Sequence, residues 1–114
     1  MSIRGHDFHM HARREIQSLE IHCRIARLLT RDPQRVIGKA LHNLNSWIQL
    51  HRNTALEAVY QEWLGILETR PPAEIAALLI AGDEGAIRLR QSSPFVGILS
   101  PQEIWSIKRS HATA

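Results

Sequence analysis

The chain has 114 residues and a formal net charge of +3, with 44% hydrophobic and 22% charged residues. This length is typical of one domain, and the composition excludes a chain that is disordered throughout. The single cysteine, Cys23, excludes an internal disulfide, and no apolar run approaches the roughly 20 residues of a membrane helix. We therefore expect a cytoplasmic protein with one helical domain over residues 1–114, a flexible polar N-terminus over 1–11 and a polar tail over 110–114.

The charge is distributed unevenly along the chain. Seven arginines against four acidic residues give residues 1–35 a net charge of +3, and residues 85–114 also carry +3. Residues 36–84 carry −3, so two basic ends flank an acidic centre. Basic ends of this kind suit contacts with phosphates or with an acidic protein surface, although they also serve solubility alone.

Apolar residues at three- and four-residue steps predict a first helix from about Phe8 to Thr30. Asp32 then offers a cap and Pro33 a first helical position, which predicts a second helix from Pro33 to about Leu50. Its apolar stripe is the most regular in the chain: Val36, Ile37, Ala40, Leu41, Leu44, Trp47 and Ile48.

The next two helices are bounded by caps and prolines. Thr54 and Glu57 form a capping-box pattern that predicts the start of a third helix, which ends before Pro71. The apolar stretch Ala73–Ala81 predicts a buried fourth helix closed by Gly82.

The last quarter of the chain begins with a short fifth helix, capped by Asp83 and running to Arg90. Residues 91–99 contain Ser, Pro and Gly without a helical period, which predicts an irregular segment. Ser100 and Glu103 form a second capping-box pattern that opens a final helix. The sequence thus predicts an all-α bundle of about six helices.

Histidines raise the question of a metal site. His6, His9 and His11, with His22 farther along, have the side chains that zinc prefers, but their spacing does not place all of them on one helix face. We therefore predict no metal and no other cofactor.

Catalytic patterns are equally weak. Ser92 or Ser93 could be combined with a histidine on paper, but no nucleophile-elbow pattern surrounds them. Glu57 and Glu62 are five residues apart and fall on different helix faces, which argues against a carboxylate pair. We therefore expect that the protein is not an enzyme. The three tryptophans, Trp47, Trp63 and Trp105, each lie on an apolar stripe, which favours core packing.

A basic first helix favours nucleic-acid binding as one alternative. Arginines at three- and four-residue steps would form a cationic ridge that can lie against phosphates. The candidate residues are Arg13, Arg14, Arg24, Arg27, Arg31 and Arg35. No convincing helix-turn-helix accompanies them.

Two stretches carry a family resemblance. Residues 32–47 have the form D-P-x-R-V-x-x-x-A-x-x-N-L-x-x-W, and residues 89–105 have the form L-R-x-S-S-P-F-x-G-x-L-S-P-x-E-x-W. Together they cover about a third of the chain and resemble a family of small helical bacterial antitoxins paired with AbiEii/MenT-like nucleotidyltransferase toxins. The resemblance implies neutralisation of a cognate toxin by protein–protein contact.

The contacts expected for such an antitoxin come from residues 88–105 and from the basic first helix. A basic, Ser-rich segment could cover the phosphate-binding region of a nucleotidyltransferase, with Phe95 as apolar anchor and Arg90 as charged anchor. The predicted contact residues are Arg88, Arg90, Ser92, Ser93, Pro94, Phe95 and Trp105. Alternatively, Phe95 and its apolar neighbours fix the segment to the helical core.

The sequence also allows two other partners, operator DNA and a second copy of the chain. The protein could regulate transcription by binding operator DNA through the basic first helix, alone or in addition to binding a toxin. It could also form a homodimer.

Overall fold

The structure is a computed structural model that describes the backbone of residues 3–112 and the side chains of residues 12–110. Its six helices are α1 (Ile3–Arg31), α2 (Pro33–Leu50), α3 (Ala55–Thr69), α4 (Pro72–Ile80), α5 (Glu84–Arg90) and α6 (Pro101–Ala112). The predicted all-α fold is confirmed. α1 begins five residues before the predicted start at Phe8. The side chains of the predicted flexible N-terminus (1–11) and most of the predicted polar tail (110–114) lie outside the described residues.

Two predicted caps form as expected. The Asp32 carboxylate accepts the Arg35 N–H at the start of α2, with 3.4 Å between the atoms. The Asp83 carboxylate likewise accepts the Ala86 N–H at 3.2 Å at the start of α5. Each bond satisfies a backbone donor that has no partner within its helix.

The start of α3 differs from the prediction. Thr54 precedes α3 but makes no side-chain cap, because its hydroxyl donates to the His51 carbonyl. Glu57 instead accepts the Asn53 N–H at 2.8 Å, one residue earlier than in a capping box. Asn53 occupies the left-handed region at φ +63°, which turns the chain so that its N–H faces Glu57.

The end of α4 also differs. The helix stops at Ile80, and Ala81 is already extended, with φ −68° and ψ 148°. Gly82 does not adopt a positive φ and so does not close the helix by a left-handed turn. The two residues of α4 that are fully buried are Ile75 and Leu79, one turn apart on one face.

One hydrophobic core joins all six helices. α1 packs against α2, α4, α5 and α6, while α3 packs mainly on α2. The core residues are Ile25, Ala26, Leu29, Val36, Ala40, Leu44, Ile48, Trp63, Ile66, Leu67, Ile75, Leu79, Leu89, Phe95, Ile98, Leu99 and Ile107. Within the described residues, no helix has the length and apolar character needed to cross a membrane.

The prediction that all three tryptophans are core residues is wrong for one of them. Trp63 is fully buried, and Trp47 packs half-buried against Tyr60, with 5.3 Å between ring centroids. Trp105, however, is 60% exposed. Ile107 is the α6 residue that enters the core, and Trp105 lies two positions earlier, about 200° away around the helix.

Candidate interaction surface

The segment 91–99 between α5 and α6 has a buried inner side. Pro94, Phe95, Ile98 and Leu99 are all buried, and the Phe95 ring meets the Trp63 ring edge-on at 5.7 Å. Pro94 and Phe95 were predicted as partner contacts, but the structure places them in the interior. Their position agrees with the alternative prediction, in which Phe95 and its apolar neighbours fix the segment to the helical core.

Hydrogen bonds from side chains to backbone carbonyls hold this segment in place. The Asn43 amide donates to the carbonyls of both Pro94 and Val96, each at 2.9 Å. The Trp63 indole N–H donates to the Leu89 carbonyl at 2.9 Å, at the end of α5. The two Asn43 bonds satisfy carbonyls that an irregular segment leaves unpaired.

Arg90 is buried, so the prediction that it is an exposed charged anchor is wrong. Its guanidinium donates to the Ala81 carbonyl at 2.7 Å and to the Leu79 carbonyl at 3.3 Å. It also donates to the Glu15 carboxylate at 2.9 Å. The arginine therefore joins the end of α4 to α1, because a buried guanidinium needs several acceptors at once.

Ser93 is joined to α1 through a buried histidine. The Ser93 hydroxyl lies 2.8 Å from Nε2 of His22, and Nδ1 of His22 lies 2.7 Å from the Ser18 carbonyl. Ser92 is half-buried, and its hydroxyl donates to the Leu89 carbonyl at 3.3 Å. Both serines are therefore engaged within the fold.

Arg88 is exposed on α5 and already has a partner. Its guanidinium makes two parallel hydrogen bonds of 2.9 Å to the Glu62 carboxylate of α3. These bonds lower the pKa of Glu62 and raise the pKa of Arg88. A partner that uses Arg88 must compete with Glu62.

The outer side of the segment forms one wall of an open groove. Val96 and Trp105 are each 60% exposed and lie along the same groove, whose volume is about 670 Å³. We call it the Trp105 groove and define it by Arg35, Val96, Gly97, Trp105 and Lys108, which are among the residues that line it. Of the predicted partner contacts, Trp105 is the one that lies there.

Basic side chains share the groove with the exposed tryptophan or lie beside it. Arg35 from α2 and Lys108 from α6 line the Trp105 groove. The Arg109 guanidinium carbon lies 5.9 Å from the centroid of the Trp105 ring, within range of a cation–π contact. The rim of the groove is therefore positively charged.

Gly97 brings a further cation to this rim. Its φ of +83° is a backbone conformation that suits glycine. A Cβ added at this position would lie 3.1 Å from Cε of Lys39. The absence of a side chain lets Lys39 lie directly against the outer side of the segment.

Among the described residues that line the Trp105 groove, Glu103 is the one acid, and it is engaged in the cap of α6. Its carboxylate accepts the Ser100 N–H at 3.1 Å, and its own N–H donates to the Ser100 hydroxyl at 3.1 Å. The predicted second capping box is thus confirmed. The hydrogen bond from the Ser100 backbone, followed by that from its side chain and the charges of Arg24 and Arg35, lowers the pKa of Glu103.

The six arginines predicted to bind nucleic acid do not form one ridge. Arg24 is half-buried, pairs with Glu20 at 3.8 Å and acts electrostatically on Glu103 of α6. Arg27 is exposed beside α4, where it lines a different groove. The remaining four, Arg13, Arg14, Arg31 and Arg35, are exposed.

Among the described residues, no cluster of three His, Cys, Asp or Glu side chains could hold a metal ion. His6, His9 and His11 lie outside the described side chains. Comparison with known proteins adds no assignment, since no family model, curated protein or solved structure matches the chain.

Sequence reasoning missed that Val96, Arg35 and Lys108 line one groove with Trp105. Part of the signal was present in α6. Trp105, Lys108 and Arg109 follow the i, i+3, i+4 spacing of one helix face, while Ile104 and Ile107 follow the spacing of the other. The contributions of α2 and of Val96 depend on tertiary packing.

Proposed function

We propose that this protein acts by binding another protein through the Trp105 groove. The observation that carries the proposal is the exposure of Trp105 in a groove that Arg35 and Lys108 also line, with Arg109 beside the Trp105 ring. In its most specific form, the proposal is that the protein is a cytoplasmic antitoxin that binds and neutralises a cognate nucleotidyltransferase toxin. It performs no reaction of its own in this account.

The exposed apolar side chains support a partner. Val96 and Trp105 leave apolar surface in water, and burial of such surface stabilises a complex by about 25 cal/mol per Å² before the costs of association. Tryptophan and arginine are the residues most enriched among those that dominate binding energy at protein interfaces. Trp105 with Arg35 and Arg109 nearby has this composition.

The charges support an acidic partner. Arg35, Lys108 and Arg109 are exposed and outnumber Glu103, the one acid that lines the groove among the described residues. A positive rim favours encounter with a negative surface and disfavours a positive one. A nucleotidyltransferase active site, with its metal-binding carboxylates, would offer such a surface. The identity of the toxin rests on the resemblance of residues 32–47 and 89–105.

Co-expression tests this proposal. The proposal predicts that the gene beside the one for this chain encodes a nucleotidyltransferase. Its expression alone is expected to arrest growth, and co-expression of the wild-type chain is expected to restore it. The Trp105→Ala variant should fail to restore growth at equal abundance. A lack of rescue by the wild-type chain would contradict the proposal.

Binding of operator DNA is the second candidate, and the exposure of Arg27, Arg31 and Arg35 favours it. These side chains lie near the junction of α1 and α2, free to approach phosphates. The affinity for promoter DNA should then fall steeply as salt rises, because each phosphate contact adds about 0.9 to the slope of log K against log salt.

A triple variant Arg27→Ala, Arg31→Ala, Arg35→Ala should reduce that slope, measured by fluorescence anisotropy. The double variant Arg52→Ala, Arg70→Ala is a matched control, because both arginines are exposed at the two ends of the region that contains α3. Equal slopes for the two variants would contradict DNA binding through Arg27, Arg31 and Arg35.

A further inference from the structure

We propose that the hydrogen bond between Ser93 and His22 is a pH-sensitive latch that holds the segment 91–99 closed at neutral pH and releases it in mild acid. The bond joins residues 71 positions apart and ties the wall of the Trp105 groove to α1. The latch itself is a property of the free protein. Its consequence for partner binding rests on the proposed function.

The tautomer of His22 follows from its partners. The Ser18 carbonyl can only accept a hydrogen bond, so Nδ1, 2.7 Å away, carries the proton of the neutral ring. Nε2 then has a lone pair directed at Ser93, and the Ser93 hydroxyl donates to it at 2.8 Å. The Ser93 oxygen also accepts the Phe95 N–H at 3.3 Å. One side chain thus connects α1 to the backbone of the segment.

Protonation changes this arrangement. Nε2 of an imidazolium carries a proton, so it can donate to the Ser93 oxygen but can no longer accept from the Ser93 hydroxyl. The hydroxyl would have to turn and find another acceptor in a cavity of about 270 Å³ whose other side chains are apolar, including Ile21, Ile25 and Ile104. A donor without an acceptor in such a place is costly.

The electrostatic surroundings of His22 further disfavour its charged form. Burial lowers the pKa of His22 most strongly, and the positive charge of Arg90 from α5 lowers it further. The hydrogen bond to Ser18 and the negative charge of Glu15 on α1 raise it, but Glu15 is already paired with Arg90. α6 contributes the apolar Ile104 to the cavity. The closed form therefore disfavours the charged form of His22.

Opening of the segment 91–99 depends on pH because the pKa of His22 differs between the open and closed forms. In the open form His22 meets water and titrates near pH 6.5, whereas in the closed form its pKa is lower. The open form therefore binds more protons, and opening is favoured as the pH falls below about 6.5. If the closed form stays neutral, the population of the open form rises about tenfold by pH 5.5.

Hydrogen exchange of the Phe95 amide tests the latch. The rate, corrected for intrinsic exchange at each pH, is expected to rise by up to about tenfold between pH 7.5 and pH 5.5 in the wild-type chain, relative to the Leu44 amide in α2. The His22→Gln variant should lose this rise, because glutamine does not titrate. The matched control His42→Gln alters an exposed histidine of α2 and should keep it.

Two results would overturn the proposal: no rise in the wild type, or the same rise in His22→Gln. If His22→Gln does not fold, an NMR titration of the wild type decides the matter. The His22 ring and the Phe95 amide are expected to shift with one midpoint below 6.5, and different midpoints would contradict the latch. All these measurements use the free protein, so they are independent of whether the Trp105 groove binds a toxin.

Discussion

At the scale of single residues, Arg90 has the most unexpected position. Among the described residues it and His22 are the buried polar or charged side chains. Hydropathy places arginine on the surface, and the acceptors that satisfy it come from three distant positions in the chain, Glu15, Leu79 and Ala81. A sequence pattern does not reveal such convergence, so Arg90 was assigned to a contact surface.

The burial of Arg90 predicts a stability effect. Arg90→Ala should lower the free energy of unfolding by about 3 kcal/mol, because two backbone carbonyls and the Glu15 carboxylate lose their donor. Urea denaturation followed by far-UV circular dichroism measures this change. Arg88→Ala is the matched control on the same helix, and it should have little effect because its ion pair with Glu62 is exposed. Equal losses in the two variants would contradict the structural role of Arg90.

Glu103 gives a second prediction at this scale. Its pKa is lowered chiefly by the hydrogen bond from the Ser100 backbone, so the carboxylate stabilises the fold above its ordinary pKa of 4.5. That contribution is lost as the pH falls through the lower pKa of the folded state. The wild type should therefore be more stable than Glu103→Gln at pH 7, and the two should converge in acid, as measured by denaturation midpoints. A difference that is independent of pH would exclude this carboxylate as the source.

At the scale of helices and segments, local signals predicted the structure well. The Asp32, Asp83 and Ser100 caps involve residues no more than three positions apart, so the sequence contains all of the information they need. The orientation of α6 was predicted less well. Ile104, Trp105 and Ile107 are all apolar, and only packing decides that the isoleucines, and not the tryptophan, face the core.

The segment 91–99 depends on Asn43 of α2 for its path. Removing the amide in Asn43→Ala leaves the Pro94 and Val96 carbonyls without their donor and should cost about 1–2 kcal/mol. Amide exchange in residues 95–99 should rise, and binding of a partner in the Trp105 groove should weaken because Val96 is no longer held. Asn45→Ala, on the exposed side of the same helix, is the matched control. Unchanged exchange in Asn43→Ala would show that the core contacts of Phe95 alone fix the segment.

At the scale of the whole molecule, the two basic ends of the sequence converge. Arg35 from the first third and Lys108 from the last quarter line one groove, although they are 73 positions apart in the chain. Segment charges predicted that a basic surface would exist. They could not predict where it forms, because the location depends on how α2, the segment 91–99 and α6 pack together.

The central claim is that Trp105 and its cationic rim bind a protein partner. The most direct measurement is the dissociation constant of the purified chain for the nucleotidyltransferase proposed as its partner, with Trp105→Ala compared with Leu50→Ala. Leu50 is a matched control because it is 76% exposed but lies at the end of α2, away from the residues that line the groove. We predict that Trp105→Ala weakens binding at least about thirtyfold, or 2 kcal/mol, and that Leu50→Ala leaves it unchanged. Equal affinity of the wild type and Trp105→Ala would contradict the claim.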